Sequence, residues 1–288
     1  MNRILFIQNP IAGGRYHPLD NNKIKKYFSP GAVIDFHTTT CKGDATSFAE
    51  EHLSDYDLFV AVGGDGTANE VGKALLKTEK VLTIIPAGSG NGLARELGIS
   101  CHLRKALGQI AAEKLTVIDT ININSSVSLN VAGTGFEAEV AHLFKKYKRR
   151  GFISYVKSTF KTLSGFKPPE IEIEVNGKKE VMSVFSISFS NSRQFGNNAY
   201  IAPLAGLDDG LIDISIIRPF PLIFAPALIG MLFGRALHRS MFYKVIKTEK
   251  ATLLNQGDMK WHIDGEPVMI SGPVSISINK GSLKVLGG

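Results

Sequence analysis

The fold is decided by Asp57-Leu58-Phe59-Val60-Ala61-Val62-Gly63-Gly64-Asp65-Gly66-Thr67 and the segment that follows it to residue 77. An apolar, β-branched run stops at two glycines, and a helix-like pattern begins directly after them. This order predicts a strand, a tight turn and a helix. Glycines allow backbone N–H groups to approach a ligand, and the start of a helix favours negative charge. We therefore expect a phosphate group to bind at this turn.

The turn does not match either common nucleotide-binding motif. The chain has no Gly-x-x-x-x-Gly-Lys-Ser/Thr sequence, and Gly64, Gly66 and Asn69 miss the Gly-x-Gly-x-x-Gly spacing. A purely structural interpretation also remains open, because Asp65 or Thr67 could simply cap the helix. The rest of the chain has to decide between the two.

Length and composition predict a folded protein with one large or two modest domains. The chain has 288 residues, 44% hydrophobic and 20% charged, without low-complexity tracts or a repeat of fixed period. Its net charge of +7 favours anionic partners, and nucleic acid, nucleotide and acidic lipid all stay open. Cys41 and Cys101 are the only cysteines, and Met1 leads directly into a predicted strand. We expect a cytoplasmic protein with reduced thiols.

The longest apolar stretch is the segment 220–233, which contains Pro221 and Pro226. As a helix it would be about 21 Å long, against about 30 Å for a hydrocarbon core, so it is predicted not to span a membrane. Of the two remaining interpretations, a buried core helix and a membrane-facing lip, the core is favoured because apolar helices more often pack than protrude.

Two further glycine-rich turns follow predicted strands in the first part of the chain. Residues 8–15 follow a strand over 3–7, and residues 86–95 follow a strand over 81–85. Helices are predicted at about 18–28, 44–53 and 101–113, and further strands at 33–37 and 116–123. This alternation is typical of a mostly parallel, doubly wound sheet, in which ligands bind at the carboxyl ends of strands.

The pattern changes to mainly antiparallel β-structure near residue 120. Strands are predicted at about 121–131, as a pair, and at 171–175, 180–189, 211–217, 243–254, 261–263, 274–278 and 283–286. We expect an α/β domain over 1–120 and a β-rich domain over 121–288, with the last residues free to pack on the first domain. A cleft between two domains is the usual place for chemistry.

A helical segment within the β-rich half includes a basic run, Lys145-Lys146-Tyr147-Lys148-Arg149-Arg150. Five cations near an anionic membrane would contribute at most about 1 kcal/mol each and would support transient docking. A solvated basic helix face is the alternative. Nucleic-acid binding is not expected, because the run lacks a recognition motif.

Several motifs in this chain occur together in one protein family. They are Asn9-Pro10-x-Ala12-Gly13, Thr40-x-x-Gly43-Asp44-Ala45, Gly63-Gly64-Asp65-Gly66-Thr67-x-Asn69-Glu70, Pro86-x-Gly88-Ser89-x-Asn91, Leu207-Asp208-Asp209-Gly210-Leu211 and Asp264-Gly265-Glu266-Pro267. In this order they resemble the diacylglycerol kinase catalytic-domain family, which includes bacterial lipid kinases and the sphingosine and ceramide kinases. The Gly-Gly-Asp-Gly core alone also occurs in NAD kinases and phosphofructokinases.

The resemblance implies a fold similar to NAD kinase and diacylglycerol kinase, with ATP between the two domains and Mg²⁺ as a cofactor. The residues implied to bind ATP are Asn9, Pro10, Ile11, Ala12, Gly13, Thr40, Gly63, Gly64, Asp65, Gly66, Thr67, Ala68, Asn69, Glu70 and Ser89. Asp65 is implied to be catalytic, near the phosphates and their magnesium, and Glu266 matches the proposed general base. A second, structural magnesium is implied at Gly206, Asp209 and Leu211.

Phosphoryl transfer has two chemical requirements. The negative charge of the phosphates must be neutralised, and a carboxylate must accept the proton of the acceptor hydroxyl. Glu266 suits the second role, although an ordinary turn acid is the alternative. Gly92 after Asn91 departs from many bacterial members and is similar to the sphingosine and ceramide kinase version. By the same likeness Glu139 would orient the polar head of a lipid acceptor, and a salt-bridge or helix-surface acid is the alternative.

The predicted function is an ATP- and Mg²⁺-dependent lipid kinase of lipid metabolism that phosphorylates a hydroxyl of diacylglycerol or of a sphingoid- or ceramide-type lipid. The predicted partners are ATP, the lipid acceptor and a peripheral anionic membrane surface, with transient membrane association from the cytoplasm and a homodimer left open. NAD kinase is the competing enzyme. A catalytically silent nucleotide- or lipid-binding module is the competing non-enzyme.

Overall fold

The computed structural model describes residues 2–14, 19, 21–147, 152–163 and 165–287. The contacts within the chain define two compact units. One unit contains the residues up to 118 together with those from 281 onwards, and the other contains residues 119–280.

The described elements alternate strand and helix up to residue 111 and are mostly strands afterwards. In chain order they are β1 (Arg3–Gln8), a 3₁₀ turn (Ala12–Gly14), α1 (Asn21–Lys25), β2 (Val33–Thr38), α2 (Asp44–Glu51), β3 (Leu58–Gly63), α3 (Asp65–Leu75), β4 (Val81–Pro86), α4 (Gly92–Glu96), α5 (Leu103–Ala111), β5 (Leu115–Ile123), β6 (Ser126–Ser128), β7 (Val131–Gly135), α6 (Phe136–Lys145), α7 (Phe152–Leu163), β8 (Glu170–Val175), β9 (Lys178–Ser183), β10 (Ser186–Ser190), β11 (Ile212–Ile217), a 3₁₀ turn (Leu222–Phe224), α8 (Ala225–Phe233), a 3₁₀ turn (Leu237–Arg239), β12 (Tyr243–Thr248), β13 (Lys250–Leu253), β14 (Asp258–Ile263), β15 (Glu266–Ser271) and β16 (Val274–Leu286).

The first unit contains a parallel sheet in the order β2, β1, β3, β4 and the end of β16. Strand β3 is buried along its whole length, which is usual for a parallel strand covered on both faces. Phe6, Val60 and Ile85 belong to one core cluster, to which Leu286 of β16 also contributes. The predicted parallel α/β organisation is therefore present, and its strands end at the three glycine-rich turns.

The second unit is mainly antiparallel. Six strands form a sheet in the order β12, β11, β10, β7, β14 and β15, while β13 pairs with β16 and β8, and β8 pairs with β9. Trp261 of β14 stacks on Phe189 of β10 with ring centroids 5.7 Å apart, inside the core of this unit. The predicted change to antiparallel structure is also present.

Several predicted strand boundaries were wrong. The strand expected over 180–189 is two strands, because the backbone N–H groups of Val184 and Phe185 donate to the carbonyl oxygens of Pro169 and Ile217 instead of continuing one ladder. The strand expected over 243–254 is also two, and its halves join different sheets. The two strands expected over 274–286 are one, and β15 was not predicted. Helix α1 is much shorter than the predicted 18–28, whose first residues are partly outside the described residues.

The prediction that segment 220–233 is core was wrong for most of its side chains. Ile223 is 83% exposed and Leu222 is 60% exposed, whereas Leu228 is the buried residue of α8. The segment forms a 3₁₀ turn directly after Pro221 and then a nine-residue helix with Pro226 in its first turn, and Leu228 is the buried residue of this helix. Among the residues that the structure describes, no helix combines the length and apolar content needed to cross a bilayer.

Candidate functional site

The three glycine-rich turns of the first unit pack directly against one another. A Cβ atom on Gly88 would lie 2.5 Å from the Cα atom of Gly64, and a Cβ atom on Gly13 would collide with the carbonyl oxygen of Ala87. Asn9 in the first turn donates from Nδ2 to Oγ1 of Thr67 in α3, at 3.3 Å. The carboxyl ends of β1, β3 and β4 therefore form one backbone-lined surface, as the parallel sheet predicts.

Asp65 lies in the first turn of α3, at the centre of this surface. Its Oδ1 accepts a hydrogen bond from the backbone N–H of Leu93, at 3.3 Å, which ties the start of α3 to the start of α4. Asn91 has a φ of 53°, and its side chain both accepts from Gly88 N–H and donates to Gly88 C=O, each at 2.9 Å. The third turn is thus held by its own asparagine, and Asp65 is fixed by its neighbour.

Thr40 and Glu70, both predicted to bind ATP, are joined to the same unit through the start of α2. Oδ2 of Asp44 accepts from Thr40 N–H at 2.6 Å and from Thr40 Oγ1 at 2.9 Å, and Glu70 Oε1 accepts from Gly43 N–H at 3.1 Å. The backbone hydrogen bond from Thr40, followed by those from the Thr40 hydroxyl and His37, lowers the pKa of the Asp44 carboxyl. The sequence motif that contains Asp44 indicates no function for it. The structure identifies Asp44 as the residue that holds Thr40.

The other predicted ATP residues differ in how much surface they present. Ile11 is 72% exposed and Ser89 is exposed. Ala68, Thr67 and Asn69 are buried, and so they hold the turn from inside rather than offering a surface. Pro10, Ala12 and Gly64 lie in the turns themselves, whereas Gly63 ends β3 and Gly66 is the second residue of α3.

In the second unit, Glu266 is the first residue of β15 and follows a two-residue hairpin turn. Asp264 and Gly265 have φ values of 49° and 80°, and Ile263 is paired with Glu266. Two consecutive positive φ values are typical of a type I′ turn, for which Asp-Gly is a favoured sequence. Glu266 is half-buried at the end of this hairpin.

The Asp264 side chain is buried and accepts four hydrogen bonds from the segment 128–131. The donors are Ser128 Oγ at 2.6 Å and the backbone N–H groups of Leu129, Asn130 and Val131 at 2.9, 3.0 and 3.1 Å. The turn before Glu266 is therefore fixed to the start of β7. In the sequence Asp264 is only a member of a quoted motif, because its partners are distant in the chain.

The loop with Gly206, Asp209 and Leu211, predicted to hold a structural magnesium, has the ammonium group of Lys247 bound to its carboxylate. Lys247 Nζ lies 2.9 Å from Asp209 Oδ2, 2.9 Å from Asp213 Oδ2 and 3.2 Å from the Leu204 carbonyl oxygen. The other oxygen of Asp209 accepts from Leu211 N–H at 3.1 Å.

With these contacts in place, we expect no divalent ion at the same loop. A magnesium ion takes oxygen ligands, often one or two carboxylates, and a lysine ammonium already occupies both carboxylates here. Across the described ranges, no cluster of three or more His, Cys, Asp or Glu side chains could hold a metal ion, whereas the site predicted at this loop has one carboxylate and backbone oxygens. The loop is also braced by Asp119, whose Oδ2 accepts from Gly210 N–H at 2.7 Å.

Burial differs between the two ends of this ion pair. The Asp213 side chain is 1% exposed and the Lys247 side chain is 36% exposed. Burial raises the pKa of Asp213, and hydrogen bonding to Lys247 only partly opposes this. For Lys247, burial acts to lower the pKa, but the hydrogen bonds and charges of Asp213 and Asp209 outweigh it and the pKa is raised.

Glu139 forms an ion pair on the surface of α6. Its carboxylate lies 2.7 and 2.9 Å from Lys260 Nζ, and the two side chains are 37% and 45% exposed. The role in binding a lipid head stays a prediction. Of the basic run 145–150, residues 148–150 lie outside the described residues, and Lys145 and Lys146 are exposed at the end of α6.

Glu137, on the same helix, is a buried acid that sequence reasoning did not identify. It accepts from Ser186 Oγ at 2.5 Å and from Ser188 Oγ at 2.8 Å, and lies 3.1 Å from His262 Nε2. Ser186 and Ser188 alternate along β10 on one face. Three serines that alternate with Ile187 and Phe189 along a buried strand were the available signal for a buried polar partner.

Comparison with known proteins gives consistent results over both parts of the chain. Residues 3–123 match the family model for the diacylglycerol kinase catalytic domain, and residues 130–287 match that for the YegS C-terminal NAD kinase beta sandwich-like domain. A protein named diacylglycerol kinase from Bacillus subtilis (strain 168) is 34% identical over 228 residues, covering 76% of this chain and 74% of the relative. One named probable lipid kinase YegS-like from Klebsiella pneumoniae (strain 342) is 30% identical, covering 82% of this chain and 80% of the relative.

Solved structures share the fold. A candidate diacylglycerol kinase from Bacillus anthracis str. Sterne superposes with a TM-score of 0.80 at 23% identity, covering 100% of this chain and 97% of that one. Another structure, described as a diacylglycerol kinase from the same organism, gives 0.72 at 19% identity with the same coverage. The predicted fold class is therefore confirmed.

Proposed function

Because the chain belongs to the diacylglycerol kinase catalytic-domain family of lipid kinases, we propose that it transfers the γ-phosphate of ATP to a hydroxyl group of a membrane lipid. The observation that supports this best is the packing of three glycine turns at the carboxyl ends of β1, β3 and β4. Backbone N–H groups at such turns bind phosphates, and the start of α3 adds a positive helix end.

In the proposed reaction, ATP binds the first unit as its magnesium complex, so that this ion arrives with the substrate. Asp65 interacts with the metal-bound phosphates, and the turns that contain Asn9, Gly64 and Ser89 supply backbone and polar contacts. Thr40 is oriented by Asp44 for a contact to the nucleotide. Positioning and charge neutralisation of this kind provide most of the catalysis in phosphoryl transfer.

Glu266 is the proposed general base. Its carboxylate takes the proton of the acceptor hydroxyl while the hydroxyl oxygen attacks the γ-phosphorus, and ADP leaves with the electrons of the broken P–O bond. A carboxylate at a rigid strand end suits this role, and the hairpin before Glu266 is fixed by the four hydrogen bonds to Asp264. The proposed reaction does not require a metal ion at residues 206, 209 and 211.

Diacylglycerol is the first acceptor to test. Glu139 is already paired with Lys260, so a cationic sphingoid head would have to displace a lysine from it. A neutral glycerol hydroxyl has no such competitor, and the name of the Bacillus subtilis relative supports the same choice. Sphingosine and ceramide are the second and third acceptors.

The test uses the full chain, γ-labelled ATP and each lipid in mixed micelles, with NAD as a water-soluble acceptor in parallel. Label in the organic phase with diacylglycerol is expected, and it should be lost in Asp65→Asn and Glu266→Gln while the melting temperature stays within a few degrees. Glu249→Gln, at an exposed ion pair with Lys280, is the matched control. Transfer to NAD, or ATP binding without transfer to any lipid, would contradict the proposal.

A further inference from the structure

A continuous stretch of the second unit contains no acidic residue. Between Asp213 and Glu249 the sequence has no Asp or Glu but contains Arg218, Arg235 and Arg239 together with two lysines. The chain as a whole has 26 acidic residues among 288, so a stretch of this length without any is a strong local bias. Among Asp, Glu, Lys and Arg, the side chains that it contributes are therefore all cationic.

The same stretch exposes large apolar side chains, which we call the apolar face. Its members are Leu222, Ile223, Phe224, Ile229, Phe233 and Met241. Ile223 and Met241 are 83% and 81% exposed, although Ile and Met are normally among the most buried residues. Exposed apolar residues that occur singly need no explanation, but a group of them marks an interaction surface.

The apolar face is one surface because the segments that form it contact each other beneath it. The Phe224 and Phe242 rings lie 5.3 Å apart, and Phe220 lies 5.8 Å from Phe242. The backbone N–H of Arg218 also donates to the carbonyl oxygen of Phe242, at 2.8 Å. Leu228 and Leu237 are buried below, in the same cluster. The outward side chains are therefore held on a packed base.

Unpaired cations border the apolar face. Arg218 precedes it and Arg239 lies two residues before Met241, both are exposed, and neither makes an ion pair with any residue that the structure describes. By contrast, Lys244 pairs with Glu180, Lys247 with Asp209 and Asp213, and Arg235 stacks on Tyr200 at 4.3 Å. Two arginines are thus available to an anionic partner.

We propose that the apolar face docks on an anionic phospholipid bilayer, with Ile223 and Met241 inserted and Arg218 and Arg239 bound to lipid phosphates. This inference rests on the proposed function in one respect, since a membrane lipid is the acceptor. A short helix with exposed apolar residues and flanking arginines fits a segment that lies in the interface of a membrane without spanning it. It places the membrane contact at 218–241 rather than at the basic run 145–150.

Charge decides against the main competing occupant, a second copy of this chain. In a symmetric dimer the stretch would pack on its own copy, which contains no acid to pair with Arg218 and Arg239. An anionic bilayer supplies phosphates to both arginines and hydrocarbon to the apolar side chains. A single partner of this kind therefore accounts for both the exposed apolar side chains and the unpaired arginines.

The experiment measures partition of the full chain onto phosphatidylcholine vesicles with and without phosphatidylglycerol. Ile223→Ser/Met241→Ser should weaken binding to anionic vesicles by about tenfold or more, because two inserted side chains are lost. Arg218→Gln/Arg239→Gln should weaken it about fivefold per arginine and leave the weak binding to neutral vesicles unchanged. Salt should reduce binding of the wild type but have less effect on the arginine variant. Val181→Ser, at an exposed residue of β9, is the control.

Two results would overturn the inference. One is equal binding of the wild type and both double variants to anionic vesicles. The other is a dimer in solution that Ile223→Ser/Met241→Ser dissociates, because the apolar face would then bind a second copy. Activity on a short-chain, water-soluble acceptor separates this inference from the proposed function. The two double variants should retain activity on the water-soluble acceptor and lose activity only on lipid in vesicles. A wild type that binds vesicles but phosphorylates no acceptor would contradict the proposed function alone.

Discussion

Asp264 Oδ1 accepts a hydrogen bond from Ser128 Oγ at 2.6 Å, although the two residues are 136 positions apart in the chain. Three backbone N–H groups of the next residues donate to the same carboxylate. The hairpin turn that ends at Glu266 is therefore anchored to a separate strand. Asp264 is a positioning residue for the proposed base.

Asp264→Ala should lower kcat about 10- to 100-fold and change the KM for ATP little, because Glu266 would lose its fixed position while the nucleotide turns stay intact. The change also leaves buried N–H groups unpaired and puts alanine at a positive φ, so the protein should be less stable by about 2 kcal/mol or more. Steady-state kinetics well below the melting temperature measure this.

Asp264→Asn is the conservative variant, since asparagine tolerates a positive φ and retains one acceptor oxygen. It should recover much of kcat. An alanine variant with unchanged kcat would show that the anchor does not position Glu266, and equal losses in kcat and ATP affinity would indicate general damage to the fold.

Lys247→Met should destabilise the protein and create a dependence on divalent ions. Asp213 would be left buried without its cation, at a cost of about 1–3 kcal/mol, with the smaller value favoured because Lys247 is 36% exposed and its interaction is screened. Added Mg²⁺ or Mn²⁺ should then raise the melting temperature, since two carboxylates become free to bind it.

The wild type should melt at the same temperature with magnesium and with a chelator, and Mn²⁺ should show no binding to the apoprotein by electron paramagnetic resonance. Lys280→Met removes an exposed pair with Glu249 and is the matched control. If the chelator lowers the melting temperature of the wild type itself, the loop holds a divalent ion after all.

Gly88→Ala tests the packing of the glycine turns. The added methyl group would lie 2.5 Å from the Cα atom of Gly64, a backbone atom that cannot move aside cheaply, so we expect a loss of about 1–3 kcal/mol and weaker ATP binding. Gly108→Ala in α5 meets no atom within 4 Å and should instead stabilise by about 0.4–1 kcal/mol. Urea unfolding and nucleotide titration of both variants provide the comparison. Equal stability of the two variants would contradict the packing described for the turns.

The Asp44 carboxylate should contribute stability that depends on pH. Hydrogen bonds from Thr40 lower its pKa in the folded state, so its contribution is fully present above the unfolded value near 3.8 and is lost as the pH falls through the lower folded value. Asp44→Asn should cost about 0.5–1.5 kcal/mol at neutral pH. The difference in unfolding free energy between wild type and variant should shrink below pH 3.8. A difference that grows in acid would reverse the assigned direction.

The sequence was sufficient for the order of elements in the first unit. Short, mostly apolar and β-branched runs such as 58–62 and 81–85 are typical of buried strands, and each is followed by a glycine turn. In the second unit, the alternation of apolar and polar residues could locate strands, but it could not show which sheet each strand joins. Residues 243–254 read as one strand, yet a change of sheet occurs at Glu249 between β12 and β13.

The site was predictable where its residues are close in the chain and not where they meet through the fold. The contact of Gly64 with Gly88 depends on the order of neighbouring strands, and the anchor of Asp264 depends on pairing between β7 and β14. The contacts of Lys247 with Asp209 and Asp213 could not be predicted for the same reason. A lysine on a strand gives no sign of the two aspartates that surround it.

Strand β16 has a consequence for synthesis. Lys284 and Val285 pair with Val81 and Leu82, so the parallel sheet of the first unit is completed by residues translated after the entire second unit. Until then β4 has an unpaired edge, and such edges favour aggregation. The sheet of the first unit therefore cannot be completed until residues 284 and 285 have been translated, and the open edge of β4 is an aggregation hazard in any shorter nascent chain.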